Sequence, residues 1–264
     1  MADVTLEKID AALVVTNRNG ARRNPLSPEL YATILAATDQ AAQDDAIASV
    51  VLTGEGSFFC AGGDLKTLVK RREMSEAGRR EAIDGLHGVI RAIRACPKPV
   101  IAAVEGGAAG AGVSLALACD FVIAARGAQF TVAYVKAGLV PDGGLTARLA
   151  AQLPRPLASR LCMLGDPITA DRLYDLGMVT ELCEPGGAMD MAAHYASRLA
   201  AGPANALRDI KSLLETASFM DPDSQLDRER DAMARALGGD EGAEGIGAFL
   251  EKRKPDFAKL RGGG

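Results

Sequence analysis

Apolar and polar positions change period several times along the chain, and each change marks an element. Val4 and Leu6 alternate with Thr5 and Glu7, residues 13–16 are β-prone, and Ile9-Asp10-Ala11 allows a reversal, so the chain is predicted to open with a hairpin over 4–17. A loop over 18–26 leads to Ser27-Pro28-Glu29, where Ser27 is placed as an N-cap and Pro28 at the first helical position, so a helix is predicted to about Gln43. The mostly apolar run 47–52, closed by Thr53 and Gly54, has the length of a buried strand. After a loop over 54–64, Ile83, Leu86, Ile90 and Ile93 recur at helical spacing up to Cys96, and Pro97 and Pro99 stop the helix. A second apolar run, 100–104, is followed by Gly106, Gly107, Gly110 and Gly112 and then by a helix-forming segment ending near Cys119. Residues 120–124 and 130–132 read as strands, and from Thr146 to Lys254-Pro255 most of the chain reads as helix. The predicted fold class is mixed α/β, with a core over 1–195, a helical C-terminal region over 196–264 and a disordered glycine tail at 262–264. No internal repeat is visible.

Composition narrows the function. The 264 residues are 48% hydrophobic and 24% charged, enough for a substantial buried core. Thirty basic against 34 acidic residues give a formal charge of −4, the wrong sign for an electrostatic nucleic-acid binder. No stretch approaches the length of a membrane helix, and Met-Ala-Asp-Val-Thr lacks the features of a signal peptide, so a soluble, cytoplasmic protein is expected. Cys60, Cys96, Cys119, Cys162 and Cys183 are odd in number and widely spaced, which predicts free thiols and no metal site. The two histidines, His87 and His194, lie in helix-period stretches without partners placed for a triad, and are read as structural.

Two glycine-bearing loops each follow a buried strand: Cys60-Ala61-Gly62-Gly63-Asp64 and the segment 106–112. Glycine lets backbone approach a ligand closely, and a turn entering a helix leaves its first N–H groups without partners. Two such donors can form an oxyanion hole; tight turns and close packing are the alternative reading of the same glycines. A dinucleotide fingerprint fails at the second loop, because Leu115 stands where its third glycine or alanine belongs and Asp120 comes too soon for the ribose. No Gly-Lys-Ser or Gly-Lys-Thr follows for a P-loop, and Ser114 lies in no Gly-x-Ser-x-Gly elbow.

These segments resemble the enoyl-CoA hydratase/isomerase, or crotonase, family over nearly the whole chain. The resemblance rests on Phe59-Cys60-Ala61-Gly62-Gly63-Asp64-Leu65, Pro99-Val100-Ile101-Ala102-Ala103-Val104-Glu105-Gly106, Ala118-Cys119-Asp120, Gly138-Leu139-Val140-Pro141-Asp142-Gly143-Gly144 and Phe249-Leu250-Glu251-Lys252-Arg253. It implies a spiral of ββα units with a helical trimerisation region, and a homotrimer or dimer of trimers. It also implies an acyl-CoA substrate whose thioester carbonyl lies between two backbone N–H groups, by position those of Gly63 and Ala111. No cofactor beyond the coenzyme A of the substrate, no metal, no nucleic acid and no membrane partner is implied.

In the hydratases of this family two glutamates move the proton; the matching positions here hold Ser114 and Tyr134. Asp142 stands where some isomerases and a dehalogenase of the family carry their working aspartate, and is the leading catalytic candidate, with an ordinary Asp-Gly turn as the alternative. Tyr134 can donate a hydrogen bond or only pack, and Ser114 can hold a water or only fill the core. For coenzyme A the resemblance points to Arg22, Arg23 and Ala61, and to Phe249 and Lys252 of the C-terminal segment, which in the family reaches a neighbouring subunit's ligand. The combination of Ser114, Tyr134 and Asp142 is similar to a subgroup known as the alternative type of oxepin-CoA hydrolase. The reading is an enzyme that isomerises or rearranges an unsaturated or ring-derived acyl-CoA through an enolate. Its rivals are an enoyl-CoA hydratase using other groups, a silent acyl-CoA-binding subunit and, more distantly, a Rossmann oxidoreductase.

Overall fold

A computed structural model describes residues 3–261; the glycine tail lies outside the described residues. The opening hairpin forms as the alternation requires: β1 (Val4–Ile9) pairs antiparallel with β2 (Ala12–Asn17), with Ile9 opposite Ala12 and Asp10 turning the chain at φ 52°. Helix α1 (Pro28–Gln43) starts where its signals lie, with the Leu30 N–H donating to Ser27 Oγ at 3.1 Å. Strand β3 (Ser49–Gly54) begins two residues later than the apolar run suggests; Ile47 and Ala48 are buried ahead of it. Helices α2 (Leu65–Arg72) and α3 (Glu76–Ala95) follow, α2 in a stretch too polar to show a helical face.

The next segments repeat one arrangement. Strand β4 (Val100–Val104) is followed by the short β5 (Gly107–Ala109) and helix α4 (Ala111–Leu117). Then β6 (Phe121–Ala125) is followed by the short β7 (Gln129–Thr131), a 3₁₀ turn over Ala133–Ala137, and helices α5 (Leu145–Gln152) and α6 (Arg155–Leu164). The helical reading beyond Thr146 needs correction, because β8 (Pro167–Thr169) and β9 (Glu181–Cys183) interrupt it around α7 (Ala170–Asp175). At three residues each, these strands are too short to show a period of two; pairing to β7 and β6 makes them strands. Helix α8 (Ala188–Ala200) spans residue 195, and α9 (Ala204–Ala217), α10 (Pro222–Gly238) and α11 (Asp240–Leu250) complete the helical region.

The long strands form one six-stranded sheet in the order β1-β2-β3-β4-β6-β9, parallel except for the opening hairpin. Its central strands are apolar on both faces, as burial on both sides demands. Val15, Leu52, Ala102 and Val104 face one core with α1 and α3, while Val14, Val51, Ile101 and Ile123 face a second core closed by Ala188, Ala192, Ala196 and Leu199 of α8. The segments after each long strand form a second layer: Leu26 bridges Gly63, Cys60 bridges Ala108, and β5 pairs with β7 and β7 with β8. Two stacked layers advancing strand by strand give the ββα spiral. Because β3 and β4 are parallel neighbours, the loops leaving them are neighbours too.

Candidate active site

Those two loops are the glycine-bearing ones. The Ala109 N–H donates to the Cys60 carbonyl at 2.9 Å, tying one loop to the other, and the Leu26 N–H donates to the Gly62 carbonyl at 2.8 Å. Gly62 has φ +83°, and a Cβ there would lie 2.5 Å from the Ala109 carbonyl oxygen and 3.0 Å from the Ala111 nitrogen, so only glycine permits this approach. Gly63 immediately precedes Asp64, the N-cap of α2, and Ala111 is the first residue of α4. Neither of their N–H groups donates to a protein acceptor among the described residues. Two backbone donors without protein acceptors thus lie at helix starts on adjacent, hydrogen-bonded loops.

Ser114, one turn into α4, is 2% exposed. Its hydroxyl donates to the backbone carbonyl of Asp142 at 2.9 Å and lies 3.2 Å from the Tyr134 hydroxyl. Tyr134, in the 3₁₀ turn after β7, donates to Asp142 Oδ1 at 2.7 Å. Burial first, and then the negative charge of Asp142, push the Tyr134 phenol far above its ordinary value, so it stays protonated and remains a donor. Gly143 is buried at φ +64°, and a Cβ there would lie 2.8 Å from Ser114 Cβ; the loop can settle onto α4 only with glycine at this place. Ser114, Tyr134 and Asp142 thus form one connected group.

The place of one residue beside this group escaped the sequence reading. The Gly143 N–H donates to His87 Nε2 at 3.3 Å, and His87 Nδ1 lies 3.7 Å from Asp84 Oδ1, so this histidine of α3, read as structural, helps to hold the Asp142 loop. Its signal was its place on the same helix face as Ile83, Leu86 and Ile90, which reads equally as core. Tyr31 of α1 packs against Gly85 of α3. Burial raises its phenol to about 12, opposed by the Arg71 guanidinium and assisted by the Asp142 charge.

The expected coenzyme A residues lie in two places. Arg22 donates to Asp64 Oδ1 at 2.7 Å, and the Arg23 guanidinium stacks 5.5 Å from the Phe58 ring centroid. The Lys66 N–H bond first, and then Arg22, hold the Asp64 carboxyl below its ordinary value. The Ala61 N–H donates to the Arg23 carbonyl at 2.9 Å, which brings this residue and the arginine loop together. Phe249 and Lys252 lie at the end of α11, Phe249 83% exposed, and no hydrogen bond or ion pair joins them to the other site residues among those described. Cys60, Cys96, Cys119 and Cys183 are buried and Cys162 partly so, all five free, and burial raises the Cys60 thiol to about 12. No group of three or more metal-ligating side chains occurs among the described residues, and none of their helices is long and apolar enough to cross a membrane.

The two-layer spiral with paired loops above adjacent parallel strands is the crotonase architecture. The chain belongs to the enoyl-CoA hydratase/isomerase family, whose profile matches residues 7–260. It is 35% identical to the 1,2-epoxyphenylacetyl-CoA isomerase of Escherichia coli K12, over 97% of this chain and 99% of that one. It is 32% identical to the 2,3-dehydroadipyl-CoA hydratase of the same organism, again over 97% and 99%. Among solved structures, an enoyl-CoA hydratase from Polaromonas sp. JS666 superposes with a TM-score of 0.93 at 48% identity, covering 96% of this chain and 98% of that one. The protein is therefore an enzyme of this acyl-CoA family; hydratases and isomerases both stand among its relatives.

Proposed function

We propose that the protein isomerises or rearranges an unsaturated or ring-derived acyl-CoA through an enolate held by the N–H groups of Gly63 and Ala111, with Asp142 carrying the proton. The Asp142 carboxylate takes a proton from a carbon conjugated with the thioester carbonyl. The electron pair passes to the carbonyl oxygen between the two donors, and the protonated carboxyl, whose proton exchanges with solvent while the enolate persists, delivers a proton to another carbon. Nothing is added, and the carboxylate is regenerated.

The observation that carries this reading is the state of the three side chains around the loop. The Ser114 hydroxyl is committed to the Asp142 carbonyl and the Tyr134 hydroxyl to Asp142 Oδ1, whereas Asp142 Oδ2 has no partner among the described residues. His87 accepts from the Gly143 N–H and is occupied in holding the loop. One carboxylate oxygen thus remains to move a proton. A single acid–base group suffices for a proton shift, while the hydratase arrangement uses two glutamates. The 1,2-epoxyphenylacetyl-CoA isomerase among the relatives supports rearrangement of a ring-derived acyl group. Arg22, Arg23 and Ala61 are assigned to the nucleotide end of the ligand.

Association of copies into a trimer or dimer of trimers belongs to the same proposal. Leu226, Met233 and Leu237 of α10 and Leu250 of α11 leave apolar surface on these helices, and Phe249 and Lys252 would reach a neighbour's ligand from there. The test of function is mass spectrometry of enoyl-, dienoyl- and ring-derived CoA thioesters after incubation with the protein. Conversion without a change of mass is expected. Products heavier by one water would transfer the assignment to the hydratase, and no conversion together with binding would transfer it to a silent acyl-CoA-binding role.

A further inference from the structure

A cavity of about 310 Å³ lies between α3, α4, α5 and α9 and meets the candidate site at Ser114 and Gly143. Both residues adjoin Asp142: Ser114 donates to its carbonyl, and Gly143 follows it in the chain. The cavity is the space next to the Asp142 loop, and the distal end of an acyl group reacting at Asp142 is assigned to it. The walls are apolar at Ile90, Leu117, Leu145, Leu214 and Phe219, which suits a hydrocarbon chain.

The charges in the lining do not cancel. Arg94 forms an ion pair with Glu215, which accounts for two of them. Arg148 of α5, only partly exposed, makes neither an ion pair nor a side-chain hydrogen bond among the described residues. The pocket is open to solvent at Leu214 and Phe219, but a hydrocarbon chain filling it would take water from the unpartnered guanidinium at a cost that a carboxylate on the chain would relieve. Its planar fork matches a carboxylate through two parallel hydrogen bonds.

We propose that Arg148 receives a second, free carboxylate at the distal end of the acyl group, so that the preferred substrates are unsaturated monothioesters of dicarboxylic acids. This rests on the reading that the acyl group reacts at Asp142, and the test separates the two. Dissociation constants are measured by calorimetry for unreactive saturated pairs: succinyl- against butyryl-CoA, adipoyl- against hexanoyl-CoA, and suberoyl- against octanoyl-CoA. The wild type is expected to bind one of the carboxylate-bearing esters more than about tenfold tighter than its neutral counterpart. In Arg148→Met that ratio is expected to fall to about one, and in Arg148→Lys to an intermediate value. Equal affinities across all pairs in the wild type, or a ratio retained in Arg148→Met, would overturn the proposal, and the wild-type comparison stands even if a variant fails to fold. Because the probes do not react, a carboxylate preference that depends on Arg148 would survive the failure of isomerase activity. Isomerase activity without that preference would sink this inference alone.

Discussion

At the scale of single residues, the candidate chemistry rests on how protons are distributed around one carboxylate. Tyr134 stays protonated because burial and the adjacent negative charge both oppose its ionisation, and it fixes one oxygen of Asp142 while the other stays free. Removing the phenol oxygen leaves the carboxylate ionised but less well oriented. Tyr134→Phe is therefore expected to lower kcat about tenfold with a much smaller effect on KM, read from steady-state kinetics on whichever thioester the wild type converts. A fall in KM affinity alone would place Tyr134 in binding. Asp142, Tyr134 and Ser114 were legible in the sequence through motif positions. The place of His87 beside them was not, because it sits on a helix face whose spacing is the same whether the side chain meets the core or the edge of a site.

At the scale of elements, the two glycine-bearing loops lie side by side because two parallel strands are neighbours and each is followed by such a loop and a helix start. The sequence showed both loops, and the bridge between Cys60 and Ala108 supplies what it could not, their approach. Gly62→Ala would drive a methyl group against the Ala109 carbonyl and force the loops apart. The expected loss in kcat is about 10²–10³, the cost of one misplaced oxyanion donor, with unfolding midpoints in urea showing destabilisation as well. A second junction joins the helical region to the core: Lys211 of α9, 8% exposed, donates to the carbonyls of Ile93 and Lys98 and pairs with Asp120 Oδ2 at 2.7 Å. The same Asp120 oxygen accepts from the Val100 N–H at 2.7 Å, which gives the Ala118-Cys119-Asp120 motif a structural purpose. Lys211→Met strands Asp120 and two carbonyls; because Asp120 keeps some solvent contact, a loss of about 2–3 kcal/mol is expected from denaturant unfolding, below the cost of breaking a fully buried pair. Strands β5, β7, β8 and β9 were the elements hardest to read, since three residues are too few to display alternation.

At the scale of the whole molecule, acids buried in their neutral form make stability fall at alkaline pH. Cys60 is raised to about 12 in the folded chain from 9.0, and Tyr31 to about 12 from 10.0, in each case chiefly by burial. Above about pH 9 the unfolded chain releases protons that the folded chain retains, so the stabilisation present at lower pH declines as pH rises, by about 1.4 kcal/mol per pH unit for each such group until its folded value is reached. Urea midpoints compared at about pH 8 and about pH 10 should therefore fall, and fall less in Cys60→Ala. An unchanged slope in that variant would contradict the assignment of the effect to the thiol. The overall architecture was readable because long apolar strands, capped helices and two glycine-bearing loops appear in a fixed order. The identity of the acyl group was not, because the cavity that would choose it is assembled from four helices distant in sequence. The central claim, that Asp142 moves a proton on an enolate, is tested most directly by the rate at which a converted acyl-CoA takes up deuterium from deuterated water, compared between the wild type and Asp142→Asn. The account predicts uptake without added water in the wild type and a rate lower by about 10²–10⁴ in the variant, with CoA-ester binding retained; equal uptake by both proteins would contradict it.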